Sequence, residues 1–394
     1  MRTKFTRLFT SRIFVMGCSI VSLLLSNSLS NHVFAQALPM PDHIVILIEE
    51  NQPNFLVIGN TSAAPYINQI ANDTSTALFT KMYAIEHPSQ GNYLDFFAGS
   101  NQGILDDNLP ANYPFVTDNL ARQLLDHGLT FKTYSEDLPS VGFDGVSSGS
   151  YVRKHNPVTN WVGTGTNQVP DSLNQPMTAF PTDFNLLPTV SYVVPNEAND
   201  MHDGFGNPTI TLGDTWFHTH LDAYVQWCKN HNSLFIFTFD EDDGLAANNI
   251  PTFFTGEMVQ HGTYTDHWTL YSMLRTMEDM YGLRYAGNAA SNVPILNCWK
   301  QVSTGLKNLD ESTQEIKVYP NPSSTVIKFD ARKSGLSEAE VSVTDITGKV
   351  ITQQTLSQSN SLEVNTSAFA VGIYFYQVTE QKHLVQTGKF SVIH

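Results

Sequence analysis

Basic residues are scarce in this sequence. Its 394 residues include 21 Lys and Arg against 37 Asp and Glu, a formal net charge of −16. Charged residues make up only 15% and hydrophobic residues 41%, a composition that permits a large core and argues against disorder. Because so acidic a surface repels nucleic-acid phosphates and anionic lipid, we expect no nucleic acid and no anionic membrane as partners.

Long apolar runs are lacking beyond the N-terminus, so we expect no stable membrane insertion. The first 35 residues contain four basic and no acidic residues, an apolar stretch over Ile13–Leu25, and small residues at the cleavage positions of Val33-Phe34-Ala35. We predict a signal peptide over residues 1–35. Its removal leaves 17 basic against 37 acidic residues, a mature charge of −20.

Cysteine is also scarce, with three residues in the chain. Cys18 falls in the predicted signal peptide, which leaves Cys228 and Cys298. An even pair in an exported protein is able to form a disulfide, and Cys228 equally fits a plain core position. Both alternatives stay open, because a sequence does not supply the Cα separation that a disulfide requires.

Residues 38–300, which we assign to a catalytic domain, alternate short apolar runs with amphipathic stretches. Strands are predicted over His43–Ile48, Thr189–Val194 and Ser233–Phe239, and a helix over Thr215–Lys229. This alternation predicts an α/β fold, a mostly parallel sheet sandwiched by helices. In such folds the working residues lie just past the carboxyl ends of the strands.

The character of the chain changes after residue 300. Residues 301–316 are polar and lack periodicity, which is typical of a linker. Residues 317–394 contain short alternating strands separated by turns, which predict a small C-terminal β-sandwich.

Acidic and amide side chains follow two of the predicted strands. Glu49-Glu50-Asn51 comes after the first strand, and Asp240-Glu241-Asp242-Asp243 comes after Ser233–Phe239. Clustered carboxylates repel one another unless a cation is bound, so the two groups predict a divalent metal site; for either group alone, an ordinary acidic turn is the alternative. Oxygen ligands suit Mg, Ca or Mn, whereas added histidine ligands suit Zn or Fe.

Ser89 follows a third predicted strand, Ala77–Ile85, and precedes an apolar helical stretch over Tyr93–Ala98. A serine at a helix N-terminus meets free N–H groups that favour a phosphate, and contact with a metal ion would activate its hydroxyl. Asn92 is placed to donate to a phosphoryl oxygen. The alternative is that Ser89 is simply a helix N-cap.

Three histidines complete the candidate set. His202 lies in Asp200-Met201-His202-Asp203, and His267 follows Asp266. His155 lies with Arg153 and Lys154 in a basic island inside Leu138–Pro176, a long polar segment that we expect to cover the site. An isolated histidine is more often a core or surface residue than a ligand, so these assignments depend on the neighbouring groups.

In order, these motifs resemble the phosphoesterase family of bacterial acid phosphatases and phospholipases C, within the alkaline-phosphatase-like superfamily. The resemblance covers about residues 43–283, and the family often has Pro where this chain has Gly91. It rests on these segments: Ile48-Glu49-Glu50-Asn51, His87-Pro88-Ser89 with Asn92-Tyr93, Tyr151–Pro157, Pro195-Asn196 with Asp200–Asp203, Asp240–Asp243 and His267.

The resemblance implies a role for each candidate residue. Ser89 would be the nucleophile, Asn92 would contact the phosphoryl group, and His155, His202 and His267 would line the site. We assign His202 and His267 to catalysis, and His155 with Arg153 to substrate binding. The metal ligands would be Glu50, Asn51, Asp240 and Glu241, to which we add Asp200.

The tail is similar to the C-terminal sorting domain of type IX secretion substrates. The similarity rests on Tyr319-Pro320-Asn321-Pro322, on Asp345 with Gly348-Lys349, and on Gly372-Ile373-Tyr374. It implies the type IX secretion machinery as a partner, a Gram-negative bacterium of the Bacteroidetes type, and passage through the periplasm to the medium or cell surface.

The expected function is therefore a secreted, metal-dependent phosphoester hydrolase, an acid phosphatase acting on small phosphomonoesters through a serine nucleophile. Two alternatives stay open. One is a phospholipase C-type phosphodiesterase, and the other is a non-catalytic surface binding protein.

Overall fold

The computed structural model describes residues 38–202, 206–300, 316–332, 339–356, 361–380 and 383–394. The predicted signal peptide and nearly all of the predicted linker lie outside these residues. The chain divides into two compact units, residues 1–298 and 299–394. Within the described residues, no helix is long and apolar enough to cross a membrane.

An eight-stranded sheet is the centre of the described part of the first unit. In chain order its strands are β1 (His43–Glu49), β2 (Thr76–Phe79), β3 (Phe131–Ser135), β4 (Asn174–Pro176), β5 (Val190–Val194), β6 (Ser233–Phe239), β7 (Thr252–Thr255) and β8 (Gly262–Tyr264). Their spatial order is β8-β2-β7-β6-β1-β5-β3-β4. Every neighbouring pair is parallel except the two pairs that include β7, which is antiparallel to both of its neighbours.

Helices cover both faces of this sheet. Tyr192 of β5 lies in register with Ile46, and its ring stacks on Phe96 of a helix. Phe237 of β6 lies one row further along, so its side chain points to the opposite face, where it stacks on Phe217 of another helix. The described α-helices are α1 (Asn54–Val57), α2 (Pro65–Ala71), α3 (Ser89–Ala98), α4 (Leu120–Asp126), α5 (Asn207–Cys228) and α6 (Leu270–Tyr281).

The two covered faces explain the composition of the central strands. All residues of β6 are buried, and in β1 only His43 is partly exposed. Because neither face meets water, the strands are continuous apolar runs rather than alternating ones. The polar residues that follow β1 and β6 are thereby brought to one edge of the sheet.

Two predicted elements differ from the structure, and the structure shows the state of the two cysteines, which the sequence left open. The strand predicted over Ala77–Ile85 is interrupted by a turn at Thr80-Lys81, leaving β2 and a two-residue strand, Met82–Tyr83. Helix α5 begins eight residues before the predicted start, with Pro208 in its first turn. Cys228 and Cys298 are buried and free, so the disulfide is not formed.

The segment Leu138–Pro176 is not a loose polar cover. It contains short 3₁₀ helices and ends in β4, at the edge of the main sheet. Trp161 is fully buried, with its ring against Phe97 and Phe115. The segment therefore packs partly into the core through Tyr151 and Trp161, while Lys154 and His155 of the same segment lie beside Glu50.

The C-terminal unit contains a three-stranded and a four-stranded antiparallel sheet, as the alternating pattern predicts. Phe329, Val341, Val378 and Phe390 are among its buried core residues. Its strands are Lys317–Tyr319, Val326–Asp330, Ala339–Thr344, Val350–Leu356, Ser361–Asn365, Gly372–Glu380 and His383–Val392.

Candidate active site

The carboxyl ends of β1 and β6 bring two acidic segments together. Glu49 lies in register with Phe239, so Glu50 and Asp240 leave the sheet side by side. The Asn51 backbone N–H donates to Asp240 Oδ1 over 3.1 Å, with Asn51 in the left-handed conformation at φ 54°. A non-glycine residue in this strained region is typical of functional sites.

Ser89 is the first residue of α3, and its hydroxyl faces these strand ends. Ser89 Oγ lies 2.9 Å from Glu50 Oε1, 3.1 Å from Glu241 Oε1 and 3.5 Å from Asn51 Oδ1. The hydroxyl has one proton for three acceptor oxygens. The N-cap position belongs to Pro88, without a side-chain cap bond, so Ser89 is not the helix N-cap.

Asn92 lies one turn further along α3 and is fully buried. Its Oδ1 accepts from the backbone N–H groups of Ile85 and Glu86, at 2.8 and 3.1 Å. These bonds fix the orientation of the amide, whose Nδ2 donates to Glu241 Oε2 over 3.2 Å. The donor thus points towards the oxygens that surround Ser89.

Three cationic or titratable groups surround Glu50. His155 Nε2 lies 2.8 Å and Lys154 Nζ 3.2 Å from Glu50 Oε1, and His202 Nδ1 lies 3.3 Å from Glu50 Oε2. Burial acts to raise the pKa of Glu50, but these three groups outweigh it and hold the pKa well below its ordinary value. Glu50 is therefore the ionised centre of the site.

The other carboxyl groups behave in the opposite way. Burial and the nearby charge of Glu50 raise the pKa of Asp200 to about 10 and that of Asp240 well above its ordinary value. Burial raises the pKa of Glu241 to about 8, with a further contribution from Glu50. Asp200 Oδ2 and Asp240 Oδ2 are buried without a hydrogen-bond partner among the described residues.

These properties fit a divalent cation. Glu50, His155 and Asp200 each offer a ligand atom, and the three atoms lie within 4.8 Å of one another. Crowded carboxylates with unpartnered buried oxygens are stabilised by a positive ion, which would let Asp240, Glu241 and Asp200 ionise together. The donor set is therefore chemically suited to a metal.

Comparison with known proteins identifies the family of the chain. Residues 60–284 match the model of the Phosphoesterase family. The chain belongs to this family. Residues 317–393 of the phosphoesterase match the model of a secretion system C-terminal sorting domain, which points to secretion or the cell surface. The chain is thus a hydrolase of phosphoric ester bonds with a C-terminal sorting domain.

Curated relatives of the phosphoesterase are named phosphatases. It is 44% identical over 267 residues to the phosphatidylinositol-3-phosphatase of Mycobacterium tuberculosis, covering 67% of this chain and 85% of the relative. It is 30% identical to an acid phosphatase of Aspergillus fumigatus, covering 63% of this chain and 58% of the relative. It is 29% identical to a phosphate-repressible acid phosphatase of Penicillium chrysogenum, with 63% coverage of both. The chain therefore spans less than two thirds of both fungal relatives.

Among solved structures, the phosphoesterase is similar to a protein in the alkaline phosphatase superfamily from Vibrio parahaemolyticus. The two chains share 14% identity, with a TM-score of 0.46 and 84% coverage of each.

Most of the predicted site residues lie in one hydrogen-bonded or ion-paired group, which we call the Glu50 cluster. Arg153 is outside it, because its buried guanidinium donates to Asn160 Oδ1 and the Thr159 carbonyl and lies over the Tyr113 ring. His267 is exposed, with its ring stacked on Tyr83, and does not join the group. The members of the Glu50 cluster are Glu50, Asn51, Ser89, Asn92, Lys154, His155, Asp200, His202, Asp240 and Glu241.

Other residues at the site received no role from the sequence. His87 Nδ1 lies 2.8 Å from Glu241 Oε2, although His87 was singled out only as part of the serine motif. Asp107 accepts from the Gln90 backbone N–H over 3.0 Å and lies 3.4 Å from Lys154 Nζ. Asp107 lies in an irregular segment, where periodicity carries no signal, so only the tertiary structure reveals it.

Gly91 has a local reason in this chain. A Cβ atom at position 91 would lie 2.3 Å from Glu86 Oε1, and both Glu86 carboxyl oxygens already accept from Asn101 Nδ2. Because Glu86 is held in place, any larger residue at position 91 would have to displace it. The Glu86 side chain therefore occupies the space that a proline at position 91 would need.

Proposed function

We propose that this chain is a metal-dependent phosphomonoesterase in which Ser89 is the nucleophile. One observation carries the proposal: the single hydroxyl proton of Ser89 faces acceptor oxygens of Glu50, Asn51 and Glu241. Oxygens that crowd around one proton are the arrangement expected of ligands to a shared cation. Contact with a metal ion lowers the pKa of a serine hydroxyl and so activates it as a nucleophile.

The residues that would hold the cation are Glu50, Asn51, Asp240 and Glu241, and Asp200 and His155 offer further ligand atoms close to Glu50. The bound ion would lower the pKa of the serine hydroxyl and offset negative charge on the phosphoryl oxygens. The oxygen-rich set favours Mg, Ca or Mn, whereas use of His155 would favour Zn or Fe.

The chain's own residues account for the remaining chemistry. Ser89 Oγ forms a bond to phosphorus as the ester bond breaks and the alcohol leaves, and water then cleaves the phosphoseryl group to return serine and phosphate. Asn92 Nδ2, oriented through its own carbonyl oxygen, would donate to a phosphoryl oxygen. His202, whose side chain is 41% exposed at the rim, is positioned to exchange a proton with the alcohol or the water.

A preference for monoesters is supported by charge and by packing. Lys154 and His155 lie beside Glu50, where they are placed to balance the extra negative charge that a monoester has and a diester lacks. Three aromatic residues of Leu138–Pro176 are candidates to receive a lipid chain, and of these Tyr151 and Trp161 are buried in the core whereas Phe143 is partly exposed. The relatives described above are named as phosphatases of an inositol phosphate lipid and as acid phosphatases, which agrees with monoester chemistry.

We expect the purified enzyme to hydrolyse nitrophenyl phosphate faster than bis-nitrophenyl phosphate and faster than a phosphatidylcholine dispersion. The reason is that the cations beside Glu50 match a dianion better than a monoanion. Initial rates on the three substrates, measured in parallel with the same metal-loaded preparation, test this. A lipid rate above the monoester rate would instead identify a phospholipase C.

We also propose that export uses residues 317–394 through type IX secretion. We expect deletion of Lys317–His394 to leave nitrophenyl phosphate turnover unchanged and to stop passage beyond the periplasm, because the Glu50 cluster lies wholly within the first unit. Activity assays on cell fractions and medium measure both effects. A soluble truncated protein without activity would contradict the independence of the two units.

A further inference from the structure

A short exposed segment, residues 106–108, is fastened to the start of α3. Gln90, the residue after Ser89, is 1% exposed, and its Nε2 donates to the carbonyl oxygens of Asp106 and Asn108 over 2.9 and 2.8 Å. The Gln90 backbone N–H donates to Asp107 Oδ1 over 3.0 Å. Three hydrogen bonds from one buried residue thus hold Asp107 beside the nucleophile.

The Asp107 carboxylate bridges two donors. Oδ1 accepts from the Gln90 N–H, and Oδ2 lies 3.4 Å from Lys154 Nζ. Lys154 Nζ also lies 3.2 Å from Glu50 Oε1, the same atom that Ser89 Oγ contacts at 2.9 Å. The lysine ammonium and the serine hydroxyl are therefore neighbours across a single oxygen atom.

These two donors are the kind that bind phosphoryl oxygens. A backbone N–H in the first turn of a helix and a partly buried lysine both favour an anion. In the structure that anion is Asp107, whose two oxygens occupy both donors. We propose that Asp107 is an internal substitute for the substrate: its carboxylate occupies the places of two phosphoryl oxygens, and a phosphomonoester displaces it from Gln90 and Lys154.

This inference rests on the proposed function and adds a basis for selectivity. A phosphomonoester that has one oxygen on a cation and faces Ser89 has two further non-bridging oxygens, one for each donor that Asp107 leaves. A phosphodiester has only one. The monoester alone can replace both contacts of Asp107, so displacement favours dianionic phosphoryl groups.

The structure allows this exchange. The Asp107 side chain is 35% exposed, so its carboxylate has solvent into which it can turn. The two bonds from Gln90 Nε2 to the carbonyl oxygens of Asp106 and Asn108 do not involve the Asp107 side chain, so the segment stays attached when the carboxylate leaves. Asp107 thereby competes with every anion that enters the site.

The test compares Asp107→Asn with Asp106→Asn in the full chain loaded with its metal ion. Both variants remove one negative charge from adjacent exposed residues, but among the described residues the Asp106 carboxylate accepts only from the Asn108 N–H. We expect Asp107→Asn to bind inorganic phosphate about tenfold tighter by calorimetry and to lower the KM for nitrophenyl phosphate similarly. Asp106→Asn should leave both values within about twofold, as expected of a surface charge.

A second variant tests the other partner. Lys154→Met should raise the KM for nitrophenyl phosphate about tenfold and the KM for bis-nitrophenyl phosphate by much less. The matched control is Lys81→Met, which changes an exposed lysine.

Phosphate binding by Asp107→Asn that is no tighter than by Asp106→Asn would overturn the inference, whereas a loss of fold would appear as weaker binding with a lowered Tm. Wild-type protein without turnover would refute the proposed function, and the calorimetric comparison would still decide the role of Asp107.

Discussion

Ser89→Ala is expected to lower kcat for nitrophenyl phosphate by about a thousandfold or more, the size of loss seen when a catalytic nucleophile is removed. The Ser89 hydroxyl faces oxygen atoms of Glu50, Asn51 and Glu241, and in the proposed mechanism it is the group that attacks phosphorus. The folded state should lose only ~1 kcal/mol, since one hydrogen bond disappears and no side-chain cap is lost. Steady-state kinetics and thermal unfolding measure the two effects.

The matched control is Ser100→Ala, a serine just past the other end of α3. Its hydroxyl accepts only from the Gln102 N–H, so turnover should stay within about twofold of wild type. Equal turnover by Ser89→Ala and wild type would remove serine from the mechanism. A large fall in Tm for Ser89→Ala alone would assign it a structural role instead.

The second large effect concerns the metal. Dialysis against a strong chelator should abolish turnover, and one divalent ion should restore it, because the Glu50 cluster holds more acidic groups than its own cations neutralise. Asp240→Asn should lower metal retention and lower the rate by about a hundredfold or more, since it would remove one of the proposed carboxylate ligands of the cation. Elemental analysis alongside kinetics measures both.

The control for this change lies three residues away. Asp243 is exposed, and its carboxylate accepts from the Leu245 N–H, so Asp243→Asn removes the same charge without touching the Glu50 cluster. It should retain metal and rate. Full activity in protein that elemental analysis finds free of metal would refute metal dependence.

The raised pKa values give the metal-free protein a distinctive pH dependence. Glu241 titrates at about 8 in the folded state against 4.5 ordinarily, and the pKa values of Asp200 and Asp240 are also raised. The folded state then binds more protons than the unfolded state, so the free energy of unfolding falls as pH rises from about 4.5, up to about 8 through Glu241 and up to about 10 through Asp200. Glu50, with its lowered pKa, contributes nothing to the slope above 4.5. Thermal unfolding should show the Tm gain from added metal growing over this range, and a gain independent of pH would contradict this.

The sequence predicts those parts of the molecule whose signal is local. β1 and β6 are predicted because strands buried on both faces must be apolar throughout, and their ends then fix Glu50 and Asp240. The start of α3 near Ser89 is predicted from the apolar helical stretch Tyr93–Ala98 that follows it. The true length of α5 is missed, because its first two turns contain Pro208 and Gly213, which are poor helix formers.

A sequence pattern does not predict which of two adjacent basic residues lies at the site. Arg153 and Lys154 have the same charge, and a 3₁₀ turn places one inside the core and the other beside Glu50. The Arg153 guanidinium is held by Asn160, only seven residues further on, and by Tyr113, which is far away in the chain. The position of His267 outside the Glu50 cluster is not predictable either, because nothing in the sequence indicates that its ring stacks on Tyr83.

The central claim, that hydrolysis proceeds through Ser89 as a covalent intermediate, is tested most directly by the stereochemical course at phosphorus. A monoester made chiral by three oxygen isotopes would be turned over by the metal-loaded enzyme in the presence of an acceptor alcohol, and the configuration of the transferred phosphoryl group determined. Two successive in-line displacements at phosphorus, the first by Ser89 and the second by the acceptor alcohol on phosphoserine, predict net retention. Net inversion would mean that water or alcohol attacks the substrate directly, and would contradict a phosphoseryl intermediate.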